Sequence, residues 1–274
     1  MSRKTLASLF LHAALTGTAL LTILPLVWMV LASLMPAGEA SSEPPPFLPS
    51  HVTFEHYREL FVRLNLGRVL FNSVLLATSV TALSVLLNAM AGYAFAKLRF
   101  PGRGKIFGFL LGALVLPSQV AILPLFLLMR QLGLISSYWG VILPGMATIF
   151  GIFLVRQYAL SIPDELLDAA RIDGASEARI FVEIVLPLCR PILLTLAIFT
   201  FLGTWNDFFW PLVVLTDDSK YTLPVALANL FGEHVQDTEL MMAGSVLTVM
   251  PVLVLFLALQ RHYVQGLLMG SVKE

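Results

Sequence analysis

Charged residues are scarce in this sequence of 274 residues, and that scarcity constrains the kind of protein it can be. Charged side chains make up 12% of the chain and hydrophobic ones 58%, whereas roughly a quarter of an ordinary soluble domain is charged. A soluble domain of this size could not cover its surface with so few charges. Lipid must therefore be part of the solvent.

Cysteine and grouped metal ligands are also lacking. The single cysteine, Cys189, excludes an internal disulfide and a cysteine-based metal cluster. The histidines are scattered along the chain, at His12, His51, His56, His234 and His262. No nucleophile–base pair is visible, and 17 basic residues balance 17 acidic ones, so charge indicates no nucleic-acid partner. We predict no metal and no cofactor on this chain, and we do not expect it to be an enzyme.

Long apolar runs are what the sequence has in abundance. A helical span needs ~20 predominantly apolar residues, because lipid offers the backbone no hydrogen-bond partner. Six stretches qualify, so we predict an all-α membrane protein with six transmembrane helices, in which residues 1–274 form a single transmembrane domain. The stretches run from about Leu6 to Leu34, Leu70 to Ala96, Ile106 to Leu128, Tyr138 to Val155, Ile192 to Leu215 and Met241 to Leu259.

Basic residues predict the orientation, since Lys and Arg are retained on the cytoplasmic side. With both termini inside, most of the 17 basic residues lie inside, and the densest cluster, Lys97 to Lys105, falls in a short loop. Both termini are therefore predicted to be cytoplasmic. Arg3 and Lys4 before the first apolar run also fit a signal peptide, but the run is nearly twice the ~7 to 15 residues of a signal sequence. We expect an uncleaved first span, with cleavage as the alternative.

Residues 156–190, between the fourth and fifth stretches, are polar but strongly patterned. Pro163, followed by two acids, predicts a helix start, because proline fits the first turn and acids face the positive end of the helix dipole. Gly174 predicts the helix end, and Ser176 a cap for a second helix. We predict two short amphipathic helices joined by a glycine on the cytoplasmic face. They would be either an interfacial pair on the lipid headgroups or a docking element.

The spacing within this segment resembles the EAA loop of ABC importer permeases. Asp168-Ala169-Ala170, three residues, Gly174, nine residues and Ile184-Val185-Leu186-Pro187 match that loop. In the family, the first short helix is the coupling helix, which sits in a cleft of the ATPase subunit. The resemblance implies that coupling to an ATPase involves Glu165, Asp168, Ala169, Ala170, Asp173 and Gly174. Asp168 stands where the family usually has glutamate, which keeps the charge and shortens its reach by one methylene.

Further matches resemble the carbohydrate-uptake branch of these permeases, the family of the smaller maltose permease subunit. They are Asn72-Ser73 at the start of the second stretch, Ala91 to Ala96 at its end, and Trp205-Asn206-Asp207 in the fifth. The resemblance implies a binding-protein-dependent, ATP-driven importer of a sugar or sugar-like solute in a bacterial or archaeal plasma membrane. Its implied partners are a second permease subunit, usually a different chain, two ATPase subunits that hold the ATP, and an external solute-binding protein.

Polar residues inside apolar stretches are the candidates for the solute path, because a charge at mid-bilayer costs ~2.5 to 3.5 kcal/mol and usually faces protein or water. Trp205, Asn206 and Asp207 would together offer an aromatic platform and groups that bind hydroxyls. The alternative, which the sequence favours, is that the trio packs against the partner subunit. Asn88 is the fourth candidate, with an inter-helix hydrogen bond as its favoured alternative.

Functions of two other classes stay open on the sequence alone. An ion-gradient-driven secondary transporter subunit would use acids or broken helices at mid-membrane, and Asp207 alone supports it weakly. That function leaves the helix pair of residues 156–190 unexplained. An intramembrane enzyme would need paired catalytic groups, which are not visible. An ATPase that co-purifies with the chain would favour the importer, whereas ion-dependent uptake by the chain alone would favour the secondary transporter.

Overall fold

Helices dominate the fold, as expected of apolar segments that must satisfy their own backbone hydrogen bonds. The computed structural model describes the backbone of residues 3–233 and 237–268, and within these ranges every regular element is helical. The α-helices are α1 (Arg3–Ala32), α2 (Glu55–Arg63), α3 (Leu66–Lys97), α4 (Arg103–Ala113), α5 (Ile122–Gln131), α6 (Tyr138–Gly145), α7 (Ile149–Ala159), α8 (Asp164–Ile172), α9 (Glu177–Ile180), α10 (Leu186–Leu188), α11 (Arg190–Trp205), α12 (Phe209–Val214), α13 (Leu223–Glu233) and α14 (Thr238–Leu268). Short 3-10 helices occupy Ser118–Ala121 and Asp218–Lys220, and a π-helix occupies Phe181–Val185. The predicted all-α class is confirmed.

Four helices in the described residues are long and apolar enough to cross a membrane. They are Ser8–Ala32, Leu66–Lys97, Tyr138–Ala159 (α6 and α7 together) and Thr238–Ala258. A fifth is added if Glu177–Leu188 and Arg190–Trp205, which meet at a bend of 78°, count as one span. The first, second, fourth and sixth predicted stretches each coincide with one of the four helices. The total of six and the orientation of the termini stay predictions.

The third predicted stretch, Ile106–Leu128, is not the continuous helix that its hydropathy suggests. Helix α4 ends at Ala113, and α5 begins only at Ile122, after a 3-10 helix that starts next to Pro117. Proline has no N–H with which to continue the hydrogen-bond ladder of a helix. Helix α4 has 11 residues and is therefore about 16 Å long, too short to cross a hydrocarbon core of ~30 Å alone.

The fifth predicted stretch, Ile192–Leu215, is interrupted as well. Helix α11 ends at Trp205, and α12 begins at Phe209. Pro211 cannot donate to a helical carbonyl, and the Asp207 carboxylate instead accepts the N–H of Trp210 at 3.3 Å. The continuous span predicted from hydropathy is thus replaced by two helices with a polar break between them.

The first of two compact units comprises the described residues of 1–67 and 226–253. The side chains of α1 are exposed from Ser8 to Val27. Beyond α1, the backbone N–H of Ala40 donates to the buried Glu239 carboxylate at 2.6 Å. Ser33 and Tyr57 share a hydrogen bond of 2.7 Å between their hydroxyls. These bonds fix the segment after α1 against α2 and the start of α14.

The second unit comprises the described residues of 68–225 and those from 254 onward, and it holds both candidate sites. Its main core joins α3, α7, α8, α9 and α11. Representative buried side chains of this core are Tyr93, Val155, Leu167, Ile180 and Leu196. Helix α3 approaches α7 closely at Gly92, where an added Cβ atom would lie only 2.7 Å from the Cβ of Val155. Ile180 belongs to α9, which is the start of the second helix predicted for residues 156–190. Because Ile180 lies in this core, the start of that helix is anchored in the same core as the spans.

Candidate coupling surface and solute path

Helix α8 begins and ends where the sequence predicts. Pro163 occupies the position before its first turn, which carries Asp164 and Glu165. At the other end, Gly174 has φ +84°, and its N–H donates to the carbonyl of Arg171 while the next N–H reaches back to residue 170. This pair of bonds is a Schellman motif. A Cβ at Gly174 would meet nothing within 4 Å, so glycine is needed there for its backbone freedom and not for space.

The second helix of the pair also follows its local signals. Ser176 caps it, with its hydroxyl accepting the N–H of Arg179 at 3.3 Å. Arg179 then pairs with Glu183 at 2.9 Å across one turn, as the i, i+4 spacing predicts. The helix continues to Leu188 through the π-helical turn at Phe181–Val185, which the sequence did not indicate.

Two contacts attach α8 to the bundle, one through a buried leucine and one through an ion pair that is exposed on the α8 side. Leu167 is 1% exposed and lies within the main core of the second unit. Lys97, at the end of α3, donates to Asp164 Oδ1 at 2.7 Å and to the carbonyl oxygen of Ile162 at 2.5 Å. The ammonium group of Lys97 lowers the pKa of Asp164 below its ordinary value, through the hydrogen bond and the charge. Helix α8 is therefore fixed to α3 at its first turn.

Arg171 joins α8 to α9. Its Nη1 donates to Asp168 Oδ1 at 2.6 Å and its Nε to Glu177 Oε1 at 2.7 Å. The hydroxyl of Tyr93, on α3, donates to the other oxygen of Glu177 at 2.6 Å. The two carboxylates raise the pKa of Arg171, which keeps the guanidinium charged. This network makes the helix pair and the end of α3 one connected structure.

The outer face of α8 is acidic and partly apolar. Of the predicted coupling residues, Ala170 is half-buried against the core, and the others are exposed: Glu165, Asp168, Ala169, Asp173 and Gly174. Two apolar side chains accompany them, Ile172 at 86% exposure and Leu166 at 44%. A helix that holds one leucine in the core while exposing apolar side chains and carboxylates is suited to contact another protein surface.

The four predicted solute-path residues are not brought together on one wall. Asp207 lines a cavity of about 210 Å³. Asp207 lies in the break between α11 and α12, and the other residues of the wall come from four helices, α3, α6, α11 and α12: Val80, Val141, Pro144, Gly145, Thr204 and Trp210. Trp205 is 2% exposed and stacks on Phe201, with ring centroids 6.0 Å apart. Its ring is therefore packed in the protein and offers no open platform in this conformation.

Asn206 and Asn88 differ in their surroundings. Asn206 is exposed and donates to the carbonyl of Leu202 in its own helix at 2.9 Å. Asn88 is fully buried on α3, donates to Ser84 at 2.8 Å and accepts the N–H of Thr148, at the start of α7, at 3.0 Å. Asn88 thus makes the inter-helix hydrogen bond that the sequence offered as the alternative to a solute contact.

Sequence reasoning missed several residues of these sites. Trp210, whose indole N–H donates to the carbonyl of Gly140 at 3.0 Å, lies on the cavity wall. Lys97 and Arg171 both lie in segments predicted to be cytoplasmic, but no partner was predicted for either. The i, i+3 spacing of Asp168 and Arg171 was the available signal for one of these pairs. No sequence spacing indicates the contact between Lys97 and Asp164.

Comparison with known proteins places this geometry in a family. The model of a family described as "Binding-protein-dependent transport system inner membrane component" matches residues 88–268, a range that includes the α8–α9 pair and every residue of the cavity wall except Val80. A chain in the crystal structure of a bacterial ABC transporter involved in the import of the acidic polysaccharide alginate has the same fold. The TM-score is 0.83 at 24% identity, covering 96% of this chain and 99% of the other.

Full-length relatives agree with this match. The arabinooligosaccharides transport system permease protein AraQ of Halalkalibacterium halodurans is 39% identical, over 100% of both chains. The lactose transport system permease protein LacG of Rhizobium radiobacter is 32% identical, over 99% of this chain and 98% of its own. Such proteins are multi-pass transport subunits of the plasma membrane and not enzymes. This chain belongs to the same family, the binding-protein-dependent transport system inner membrane components.

Proposed function

We propose that this chain is one of two permease subunits of an ATP-driven importer for a sugar or sugar-like solute. The family match over residues 88–268 carries the transport role. The carbohydrate class is supported by relatives described as permeases for arabinooligosaccharides, diacetylchitobiose and lactose. No comparison supports the ion-gradient-driven alternative.

The proposed topology is a single domain of six spans with both termini in the cytoplasm. Helices α4 and α5 together supply the third span, with Pro117 at the break. Helix α11 supplies most of the fifth. Lys97 to Lys105, from the end of α3 to the start of α4, then lie on the cytoplasmic side, in accord with the retention of basic residues inside. Residues 156–190 lie on the same side.

Helix α8 is proposed as the coupling helix. Its exposed acids and the exposed Ile172 would occupy a cleft of the ATPase subunit, which holds the ATP, while Leu167 keeps the helix in the bundle. ATP binding closes the two ATPase subunits, and the cleft moves. Because Arg171 and Lys97 tie α8 to its neighbours, the spans follow as rigid bodies. The change between the inward-facing and the outward-facing state requires contacts that differ between these two states. A helix α8 that stays bound in the moving cleft provides such contacts.

The cavity beside Asp207 is proposed as this chain's share of the solute path. Its volume of about 210 Å³ is below the roughly 300–1,000 Å³ of small-molecule sites, so the second permease subunit would complete it. The Asp207 carboxylate can accept hydroxyl hydrogen bonds, and the Trp210 ring can pack against a pyranose face. An external solute-binding protein would deliver the solute to this path.

Reconstitution tests the proposal. The chain is expressed with its neighbouring genes and purified through a tag on this chain alone, and ATP-dependent uptake is measured in vesicles. We expect an ATPase and a second permease to co-purify, and sugar uptake that requires ATP and the binding protein. An ATPase variant that binds but cannot hydrolyse ATP is the control. Uptake by this chain alone, driven by a proton or sodium gradient, would contradict the proposal.

A further inference from the structure

A histidine and two carboxylates meet in the first unit, although they are distant in sequence. His56 and Glu59 lie one turn apart on α2, and Asp237 directly precedes α14. A nitrogen or oxygen from each lies within 4.8 Å of the other two. The sequence predicted no metal site because these residues share no motif. The fold creates the grouping.

The imidazole of His56 is prepared to act as a ligand. Its Nε2 lies 2.9 Å from the backbone carbonyl oxygen of Met35, which can only accept, so Nε2 carries the hydrogen. The lone pair of the neutral ring is therefore on Nδ1. His56 is 3% exposed, and its Nδ1 is buried without a hydrogen-bond partner, 4.0 Å from Asp237 Oδ1. A metal-bound histidine usually donates one ring N–H to a carbonyl or carboxylate and offers the lone pair of its other nitrogen to the ion, and His56 has this arrangement, with Nδ1 free.

The carboxylates have room to close on an ion. The side chains of Asp237 and Glu59 are 32% and 29% exposed, so each can turn towards His56. Asp237 is oriented by the N–H of Leu240 at 2.9 Å, and Glu59 pairs with Arg63 at 2.6 Å. Two bonds of ~2.1 Å at a tetrahedral centre hold their donor atoms roughly 3.4 Å apart. The three groups therefore need to approach one another by about an ångström.

We propose that His56, Glu59 and Asp237 bind a divalent transition cation of the Zn²⁺ class. Imidazole favours such ions over Mg²⁺ or Ca²⁺, and two carboxylates neutralise the dication. Three protein ligands leave a fourth position for water. The bound ion satisfies the buried Nδ1 atom and joins α2 to the start of α14.

Metal content and heat stability test the site in the assembled, tag-free transporter. The complex is stripped with EDTA, incubated with Zn²⁺ and desalted, and its zinc is measured by mass spectrometry alongside its Tm. We expect wild type to retain one more Zn²⁺ per copy of this chain than His56→Gln or Glu59→Gln. Zinc should raise the Tm of wild type only. The affinity of the variants for Zn²⁺ should fall at least about tenfold, which is the lower end of the loss caused by mutating residues around a metal site.

The control and the second variant keep the test decisive. His51→Gln removes a nearby exposed histidine and should leave zinc content unchanged. Glu59→Gln alters a partly exposed side chain, so it should fold even if His56→Gln does not. Equal zinc content in wild type and Glu59→Gln would overturn the proposal. So would an equal rise in Tm with zinc in both, since the zinc would then bind elsewhere.

Discussion

The contact between α3 and α7 and the surface of α8 lie in the same unit but are stabilised differently. The contact is stabilised by close packing and by a hydrogen bond between the helices. The missing side chain of Gly92 leaves room for Val155, and Asn88 accepts a backbone N–H at the start of α7. On α8, the side chains are mostly exposed, and ion pairs and one glycine turn define the conformation. Changes at the contact should therefore reduce folding stability, whereas changes on α8 should leave the fold intact and alter coupling.

Gly92→Ala should have the largest effect on stability. The added Cβ would lie 2.7 Å from the Cβ of Val155 and 3.0 Å from the backbone nitrogen of Arg156, and such overpacking typically costs about 1–3 kcal/mol. The matched control is Gly108→Ala on α4, where a Cβ meets nothing within 4 Å. Thermal unfolding of the purified complex should show a clear drop in Tm for the first variant only. Equal Tm values would refute close packing at Gly92.

Asn88→Leu should have the next largest effect on stability, because it leaves the partly buried N–H of Thr148 without its acceptor, at a cost of about 1–3 kcal/mol. The fall should appear in the Tm, with little change in the KM for solute uptake. Asn206→Leu is the comparison, since Asn206 is exposed and bonds only its own helix. A changed KM with an unchanged Tm in Asn88→Leu would place Asn88 on the solute path instead.

Gly174→Val should have a smaller effect on stability and a large one on transport. A β-branched residue at φ +84° strains one exposed turn by about 1–2 kcal/mol and displaces the end of α8. We expect normal membrane insertion, continued ATP hydrolysis and little uptake per ATP. Gly174→Asn tolerates the left-handed conformation and should retain most uptake. Normal uptake by the valine variant would count against α8 as the coupling helix.

Breaking the Lys97–Asp164 pair should have the smallest effect on the Tm, and this effect should depend on pH. The folded-state pKa of Asp164 is lowered by Lys97, so its contribution is complete above the unfolded pKa of ~3.9 and is lost as the pH falls through the folded value. Wild type should therefore exceed Asp164→Asn in Tm at pH 6, and the two should converge in acid. In a Lys97→Met background the difference should vanish at both pH values. A pH-independent difference would mean that the carboxylate charge is irrelevant.

Sequence reasoning worked best where signals were local. Pro163, Gly174 and Ser176 predicted the ends of two helices because each acts on its own turn of backbone. Hydropathy failed at Pro117 and Asp207, because a window averages over the few residues that break a helix. Contacts across the fold had almost no signal: the sequence favoured an inter-helix hydrogen bond for Asn88 but named no partner for it.

Three such contacts illustrate that limit. Tyr93 meets Glu177 only because α3 lies against α9, and Asn88 meets Thr148 only because α3 lies against α7. The grouping of His56 with Asp237 likewise depends on α2 lying beside the start of α14. Spacing along a chain predicts neighbours within a helix, whereas these pairs depend on how helices pack.

The bend of 78° at Cys189 has a mechanical consequence. Helix Glu177–Leu188 and helix α11 form an L-shaped pair. If this pair pivots at its corner as a rigid body, it acts as a lever with one short and one long arm. A sideways push on the short arm, which Arg171 connects to α8, becomes a swing of the long arm. Helix α11 has 16 residues and is about 24 Å long, so a pivot of roughly 6° displaces its Trp205 end by about 2.5 Å. Such a pivot would change the width of the cavity beside Asp207 without bending any helix.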